Sequence, residues 1–307
     1  MKIQVGLPGN NHLPGSPEWM TGLEAPEHQR IAAVIDELGF HAITTSEHFA
    51  MPYWEVPRLG RYWTHALTVL AFVAGATRRV RVDASVLVLP YHHPLALAKA
   101  LSTLDVLSGG RVDVSVGVGH AVQEFEVLGV SFADRGAIAD EMLEAIKELW
   151  SAEEPVYRGR FFTIEGLAFD PKPLQQPRPP IYVGGNSKAA LRRAARHEGW
   201  QPNPTDFTVD EIPPLLDYIR EQPEYRGKEK TFELCWLGFP DPEVFGLDFK
   251  GASAARLGAQ RDRLLEGFSA LSAMGITRTP IPLARTGSAD EYLDYLRWFA
   301  AEVLPSL

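Results

Sequence analysis

The chain has 307 residues, 45% of them hydrophobic and 22% charged, with a formal charge of −9; this is globular composition and argues against nucleic acid or an anionic membrane as the main partner. The single cysteine, Cys235, excludes an intrachain disulfide or cysteine metal site, and in the apolar run FELCWLGF it is expected to be a buried, inert thiol. No run approaches the roughly 18 apolar residues of a membrane span, and MKIQVGLPG lacks the core of a signal peptide, so a reducing cytoplasm is expected.

The chain starts as a strand over Lys2–Leu7, then a loop rich in Gly, Asn and Pro, and a helix from about Pro26 to Leu38 that stops at Gly39. A second strand, His41–Thr45, runs into a long loop, SEHFAMPYWEVPRLGRYW, before a helix at His65–Gly75. Val80–Leu89 is β-branched and apolar without helical period, as a strand covered on both faces should be. Pro94 opens a third helix with Leu97, Leu101, Leu104 and Leu107 spaced for one face, and Ser108-Gly109-Gly110 ends it. Val112–Val118 is the fourth strand, running into Gly117 and Gly119, where a side chain would obstruct a ligand; a helix follows over Asp134–Trp150.

Residues 152–180 interrupt the alternation. VYRGRFFTI reads as a hairpin turning at Arg158-Gly159, and the proline-rich DPKPLQQPRPP as an extended connector. Strand and helix then resume: Ile181–Val183 with Ser187–His197, Gly199–Gln201 with Asp210–Glu221, Phe232–Leu237 with a helix ending at Met274, and Ile276–Thr279 with Ala289–Val303. Eight alternations predict an α/β fold, a (β/α)8 TIM barrel of one domain over residues 1–307, with insertions after strands 2, 4 and 7.

In such a barrel the active site is built from loops after the strands, which share one face. Those loops offer Glu47 and His48, then Tyr91, His92 and His93, then Gly119 and His120, then Gly184-Gly185-Asn186-Ser187. In the last group two glycines allow an anion near the backbone, and Asn186 or Ser187 caps a helix whose N-terminus favours phosphate; a plain helix cap is the competing reading. His48 suits acid–base work near neutral pH, with Glu47 either orienting it or pointing into the barrel. Neither paired histidines at helical spacing nor clustered carboxylates occur, so no metal site is expected. Tyr53, Trp54 and Trp63, with Phe49 and Tyr62, suit an apolar substrate pocket or simply the packing of their loop. Arg78, Arg79, Arg81, Arg192, Arg193 and Arg196 read as solvated faces.

SEHF, SVLVLPYHHPLALAKALSTLDVLSGGRVDVSVGVG, EFEVLGVSFADRG, PKPLQQPRPPIYVGG and NSKAALRRAARHEGW together resemble the luciferase-like monooxygenase superfamily, over roughly residues 40–200. The likeness is strongest to its deazaflavin (coenzyme F420)-dependent oxidoreductases. It implies a ring held in the barrel mouth against a bulge in strand 3 with a non-proline cis peptide, here Ser85–Val86. It also implies ring or linker contacts at His48, Gly119 and His120, and phosphate contacts at Gly184, Gly185 and Ser187. A homodimer through helices 2 and 3 is expected on the same ground. Glu47-His48 stands where relatives often have Asp-His, and His120 where many have Trp or Glu. His48 and Trp54 match two groups of the sugar-phosphate dehydrogenases, but no Glu follows Gly119, so that substrate is not expected.

The resulting expectation is a hydride transfer between F420 and a small organic substrate, with His48 as proton donor or acceptor. The alternatives are an FMN-dependent monooxygenase fed by a separate cofactor reductase, and a non-catalytic flavin-binding barrel. The loops Pro202–Pro214 and Gly238–Gly251 are expected to shape the substrate pocket without naming its occupant.

Overall fold

Neighbouring residues on each strand have opposite fates, and that alternation makes the barrel. On the first strand, Lys2–Gly6 (β1), Ile3 and Val5 join the main apolar cluster, while Gln4 between them bonds the side chains of Cys235 and Arg278. The computed structural model describes residues 1–205, 207–240, 244, 246, 249 and 251–307. Its remaining barrel strands are Ala42–Thr45 (β2), Arg81–Ala84 (β3), Val112–Gly117 (β4), Ile181–Gly184 (β5), Gly199–Gln201 (β6), Glu233–Leu234 (β7) and Arg278–Pro280 (β8). All pair in parallel in the order β7-β6-β5-β4-β3-β2-β1-β8. The seam between β7 and β8 is closed by the Cys235–Arg278 bridge and by the Trp236 amide, which donates to the Arg278 carbonyl at 2.9 Å.

The outer layer is α1 (Ala25–Glu37), α2 (Ala66–Gly75), α3 (Pro94–Ser108), α4 (Arg135–Ser151), α5 (Lys188–Ala195), α6 (Ile212–Arg220), α7 (Ala254–Ala273) and α8 (Ala289–Glu302). The expected (β/α)8 barrel is therefore the observed architecture. Outward-facing Val82, Val112, Val114, Val116, Ile181 and Val183 pack beneath these helices, which explains the apolar runs at β3, β4 and β5. None of the helices searched among the described residues is long and apolar enough to cross a membrane.

Three local expectations need correction. Leu97, Leu101 and Leu104 are buried on α3, but Leu107 is 74% exposed; two successive steps of three residues rotate about 120° off the buried stripe. Val80–Leu89 is not one strand: β3 ends at Ala84, the Ser85–Val86 peptide is cis, and Leu87–Val88 resumes pairing with Val116 and Gly117 of β4. Arg193 is not solvated either, being 3% exposed with its guanidinium forked onto Asp140 at 2.9 Å.

The hairpin pairs Tyr157–Arg158 with Thr163–Ile164, and Gly159 N–H donates to the Phe162 carbonyl, so the turn is at Arg160-Phe161, two residues beyond Arg158-Gly159. A helix over Val122–Leu128, absent from the expectations, follows β4. Ala121 gives it no side-chain cap and only Glu124 and Phe125 are buried, so it has neither an N-terminal signal nor an apolar period. Gly129, in the left-handed conformation at φ 69°, is its one legible mark.

Candidate active site

The strand ends from β2 to β6 enclose a cavity of about 280 Å³. His48 comes from the end of β2, Ser85 and Val86 from the break in β3, Gly119 and His120 from the end of β4, and Gly184 and Gly185 from β5. Gln201 contributes from β6, and Trp63 from the loop leading to α2. Of the residues singled out from the sequence, Glu47, His48, Trp63, Ser85, Val86, Gly119, His120, Gly184 and Gly185 line this one space.

The His48 imidazole has a partner that the sequence did not suggest. Its Nδ1 lies 2.7 Å from Oε2 of Glu124, on the short helix after β4. The same carboxylate accepts the Tyr91 hydroxyl at 2.8 Å and the amides of Phe49 and Ala50 at 2.7 and 3.1 Å. Burial alone would raise the Glu124 carboxyl, but the bonds from His48, Ala50 and Tyr91 outweigh it and hold its pKa below the usual value. An ionised carboxylate only accepts, so His48 Nδ1 carries the proton and Nε2 is left for the cavity. Trp63 packs edge-on at 4.6 Å and His120 at 5.5 Å, fixing the plane of the ring. Desolvation and the neighbouring His48 lower the His120 pKa and favour its neutral form.

Glu47 does not orient His48. Its carboxylate, on a residue 3% exposed, accepts the Val88 amide at 2.7 Å and pairs with His92 Nε2 at 3.0 Å. It ties the resumed part of strand 3 to the end of β2, and adjacent residues on an extended chain face opposite ways. Among the described residues no group of histidine, cysteine or carboxylate side chains is arranged to hold a metal ion.

Three of the glycines that line the cavity also make room for protein. A Cβ on Gly117 would stand 2.8 Å from Val86 Cγ2, one on Gly184 3.1 Å from Val86 Cγ1, and one on Gly119 2.6 Å from Val88 Cγ1. They make room for the side chains that follow the cis peptide, so the space at Gly117 and Gly119 is already filled. Ser85 is held from the other side: its hydroxyl is 2.8 Å from Gln201 Nε2 and 3.1 Å from Gln201 Oε1.

At the start of α5, Ser187 is the cap, accepting the Ala190 amide. Asn186 instead clasps the loop after β6, its amide exchanging two hydrogen bonds of 2.8 Å with the Asn203 backbone. The Gly185 amide donates to the Gln201 carbonyl and is not free for an anion. What remains for a phosphate is the first turn of α5, whose leading amides have no intrahelical acceptor.

Tyr53 and Trp54 are 92% and 65% exposed, and neither lines the cavity. Their loop is held elsewhere: Tyr62 stacks on His12 at 4.0 Å, and a Cβ on Gly60 would strike the His12 carbonyl, so its rim points into solvent. Trp63 alone of the three reaches the pocket. Of the two loops expected to shape it, Pro202, Asn203 and Pro204 line the wall. Asp206 and positions 241–243, 245, 247, 248 and 250 of the second loop lie outside the described residues.

A luciferase-like monooxygenase family model matches residues 3–239. The chain belongs to the luciferase-like monooxygenase family. An uncharacterised protein of Mycobacterium tuberculosis is 30% identical to this luciferase-like chain over 243 residues, covering 74% of it and 83% of the relative. The oxygenase component of a flavin-dependent trigonelline monooxygenase of Acinetobacter baylyi is 34% identical over 192 residues, covering 62% of this chain and 51% of that protein. The coenzyme F420-dependent tetrahydromethanopterin reductase of Methanopyrus kandleri superposes with a TM-score of 0.73, at 14% identity over 99% of this chain and 98% of the other, a likeness of fold. The luciferase-like barrel thus has both deazaflavin- and flavin-dependent neighbours.

Proposed function

We propose that this luciferase-like protein is an F420-dependent oxidoreductase that moves a hydride between the deazaflavin and a small organic substrate. The His48–Glu124 pair carries the reading. A buried carboxylate that fixes the tautomer of a cavity-lining histidine prepares Nε2 to take the hydroxyl proton of an alcohol, or return it to a carbonyl oxygen.

The cavity suits a planar heterocycle. Its walls offer the Ser85–Val86 face, Trp63, and the glycine end of β5. The ring would lie against Ser85–Val86, with its phosphate toward the Ser187-capped turn of α5. Bound there, the deazaflavin supplies or takes a hydride at C5. Val86 and Val88 keep that wall apolar and dry, Gln201 fixes Ser85, and Glu124 holds His48 in register.

The trigonelline relative favours a second reading, a monooxygenase that uses reduced FMN from a separate reductase. The purified protein titrated with F420 and with FMN, each oxidised and reduced, separates the two. F420 binding with no FMN binding supports the proposal, and tight FMN binding with none to F420 overturns it. A protein that binds cofactor and in which His48→Ala changes no turnover would be a carrier.

A further inference from the structure

A second cavity, of about 330 Å³, opens at the ends of β8, β1 and β2 and meets the first at Ser46, Ser85 and Leu237. The two spaces thus lie side by side and share a three-residue wall. The geometry points to this space as the substrate chamber, and to its substrate as a small, uncharged, mainly aliphatic molecule bearing one carbonyl or hydroxyl oxygen. The inference rests on the redox reading above and adds to it the class of molecule that reacts.

Size comes first: the volume is at the low end of the roughly 300–1,000 Å³ usual for ligand pockets. Charge decides next. Among the described residues, none that lines it carries an ionisable side chain. A carboxylate, phosphate or ammonium entering it would shed water with no counter-charge in the wall, which is strongly unfavourable. Leu7, Met20 and Ile281, at 2%, 8% and 3% exposure, supply apolar surface, and Leu283 stands half-exposed.

Ser46 and Ser85 are polar groups of the seam, and Asn10, Asn11, Ser16, Thr44 and Thr45 are polar groups of the rest of the wall. Asn11 Nδ2 donates to Ser46 Oγ at 3.1 Å, and the Asn11 backbone bridges to Trp63 in the wall of the cofactor cavity. With Asn11 on its acceptor side, the Ser46 hydroxyl is left to donate its own proton. Ser46 is two residues before His48, and both line the first cavity. An oxygen at the seam can therefore accept from Ser46 while exchanging a proton with His48, and the carbon that bears it faces the cofactor space.

The test uses three probes of one shape: cyclohexanone, cyclohexanecarboxylate and cyclohexylammonium. Their dissociation constants are measured by calorimetry on the protein with and without whichever cofactor it binds. Cyclohexanone is expected to bind about tenfold or more tightly than either charged probe. Ile281→Trp, which fills the chamber, should weaken it by about tenfold or more while the cofactor dissociation constant stays unchanged. Leu283→Trp, on the rim, repeats the test should Ile281→Trp fail to fold. Ser46→Ala should weaken cyclohexanone and leave methylcyclohexane unaffected. Equal or tighter binding of a charged probe, or indifference of cyclohexanone to both tryptophans, overturns the assignment. Failure to bind either cofactor instead removes the parent reading, while the same probes on the cofactor-free protein still judge the chamber.

Discussion

At the floor of the barrel Arg278 lies 3.0 Å from Asp113 and 3.3 Å from Asp83, donates to Gln4 at 2.7 Å, and covers the Tyr182 ring at 4.4 Å. At the mouth His48 meets Glu124 at 2.7 Å beside an open cavity. Both places bury a carboxylate next to a cation or potential cation. The floor spends its charges on one another across the lumen, with Arg278 only 1% exposed. The mouth anchors one nitrogen of its histidine and leaves the other for an incoming molecule. Burial of ionisable groups does not by itself mark a site; what distinguishes this one is the open cavity that the histidine lines.

Cutting the floor should have the largest effect on stability. Arg278→Leu leaves Asp83 buried without its cation and Asp113 with Arg81 alone, which should lower the unfolding free energy by about 3–5 kcal/mol. Urea denaturation measures it, and adding Asp113→Leu should restore part of the loss. Cutting the mouth should instead strike turnover. His48→Ala is expected to reduce kcat by about 10²–10⁴-fold, the usual share of general acid–base catalysis. Glu124→Gln should follow in the same direction while the cofactor dissociation constant stays near that of the unmodified protein.

The two ends should also answer pH with opposite signs. Burial and the neighbouring Asp113 push Asp83 up to about 6 against the pull of Arg278. Its folded pKa is thus above the unfolded value near 3.9, so it binds a proton more tightly when folded. Its contribution is whole below about pH 4 and is lost as pH rises through about 6. Glu124 is depressed, so its contribution is present above about pH 4.3 and lost as pH falls through its folded value. Melting temperatures from pH 3 to 7 test this: Asp83→Asn should flatten the decline from about pH 4 to 6, and Glu124→Gln should flatten only the acid limb. A common slope change in both variants would show that the two ends titrate as one system.

The barrel was legible because its strands and helices repeat on their own periods and glycine or proline marks most boundaries. The lining of the mouth was legible at His48, Ser85–Val86 and Gly184-Gly185, since a strand end announces where a side chain emerges. Glu124 was not legible: it lies 76 residues from His48 in the chain, on a helix with neither cap nor apolar stripe. Glu47 misled because adjacency in sequence is opposition on an extended backbone. The floor was hidden for a similar reason. Asp83 and Asp113 are single charges between apolar neighbours and Arg278 sits between two threonines, and only closure of the barrel shows that they face one another. Gly117 and Gly184 showed that space is needed, though not that Val86 fills it.

The smallest expected effect tests which aromatics belong to the mouth. Tyr53 and Trp54 stand in solvent on the loop whose Trp63 touches His48. Truncating both to alanine should change stability by about 0.5 kcal/mol or less and leave cofactor affinity intact, because neither side chain removes much surface from water. Trp63→Ala removes the ring that packs against His48 and lines the cavity, so it should weaken cofactor binding and lower kcat together. Parallel titrations of the two variants measure the contrast. If Tyr53→Ala/Trp54→Ala weakened the cofactor as much as Trp63→Ala, the rim of the loop would have to close over the mouth when it fills. The site would then include residues that the open barrel holds apart.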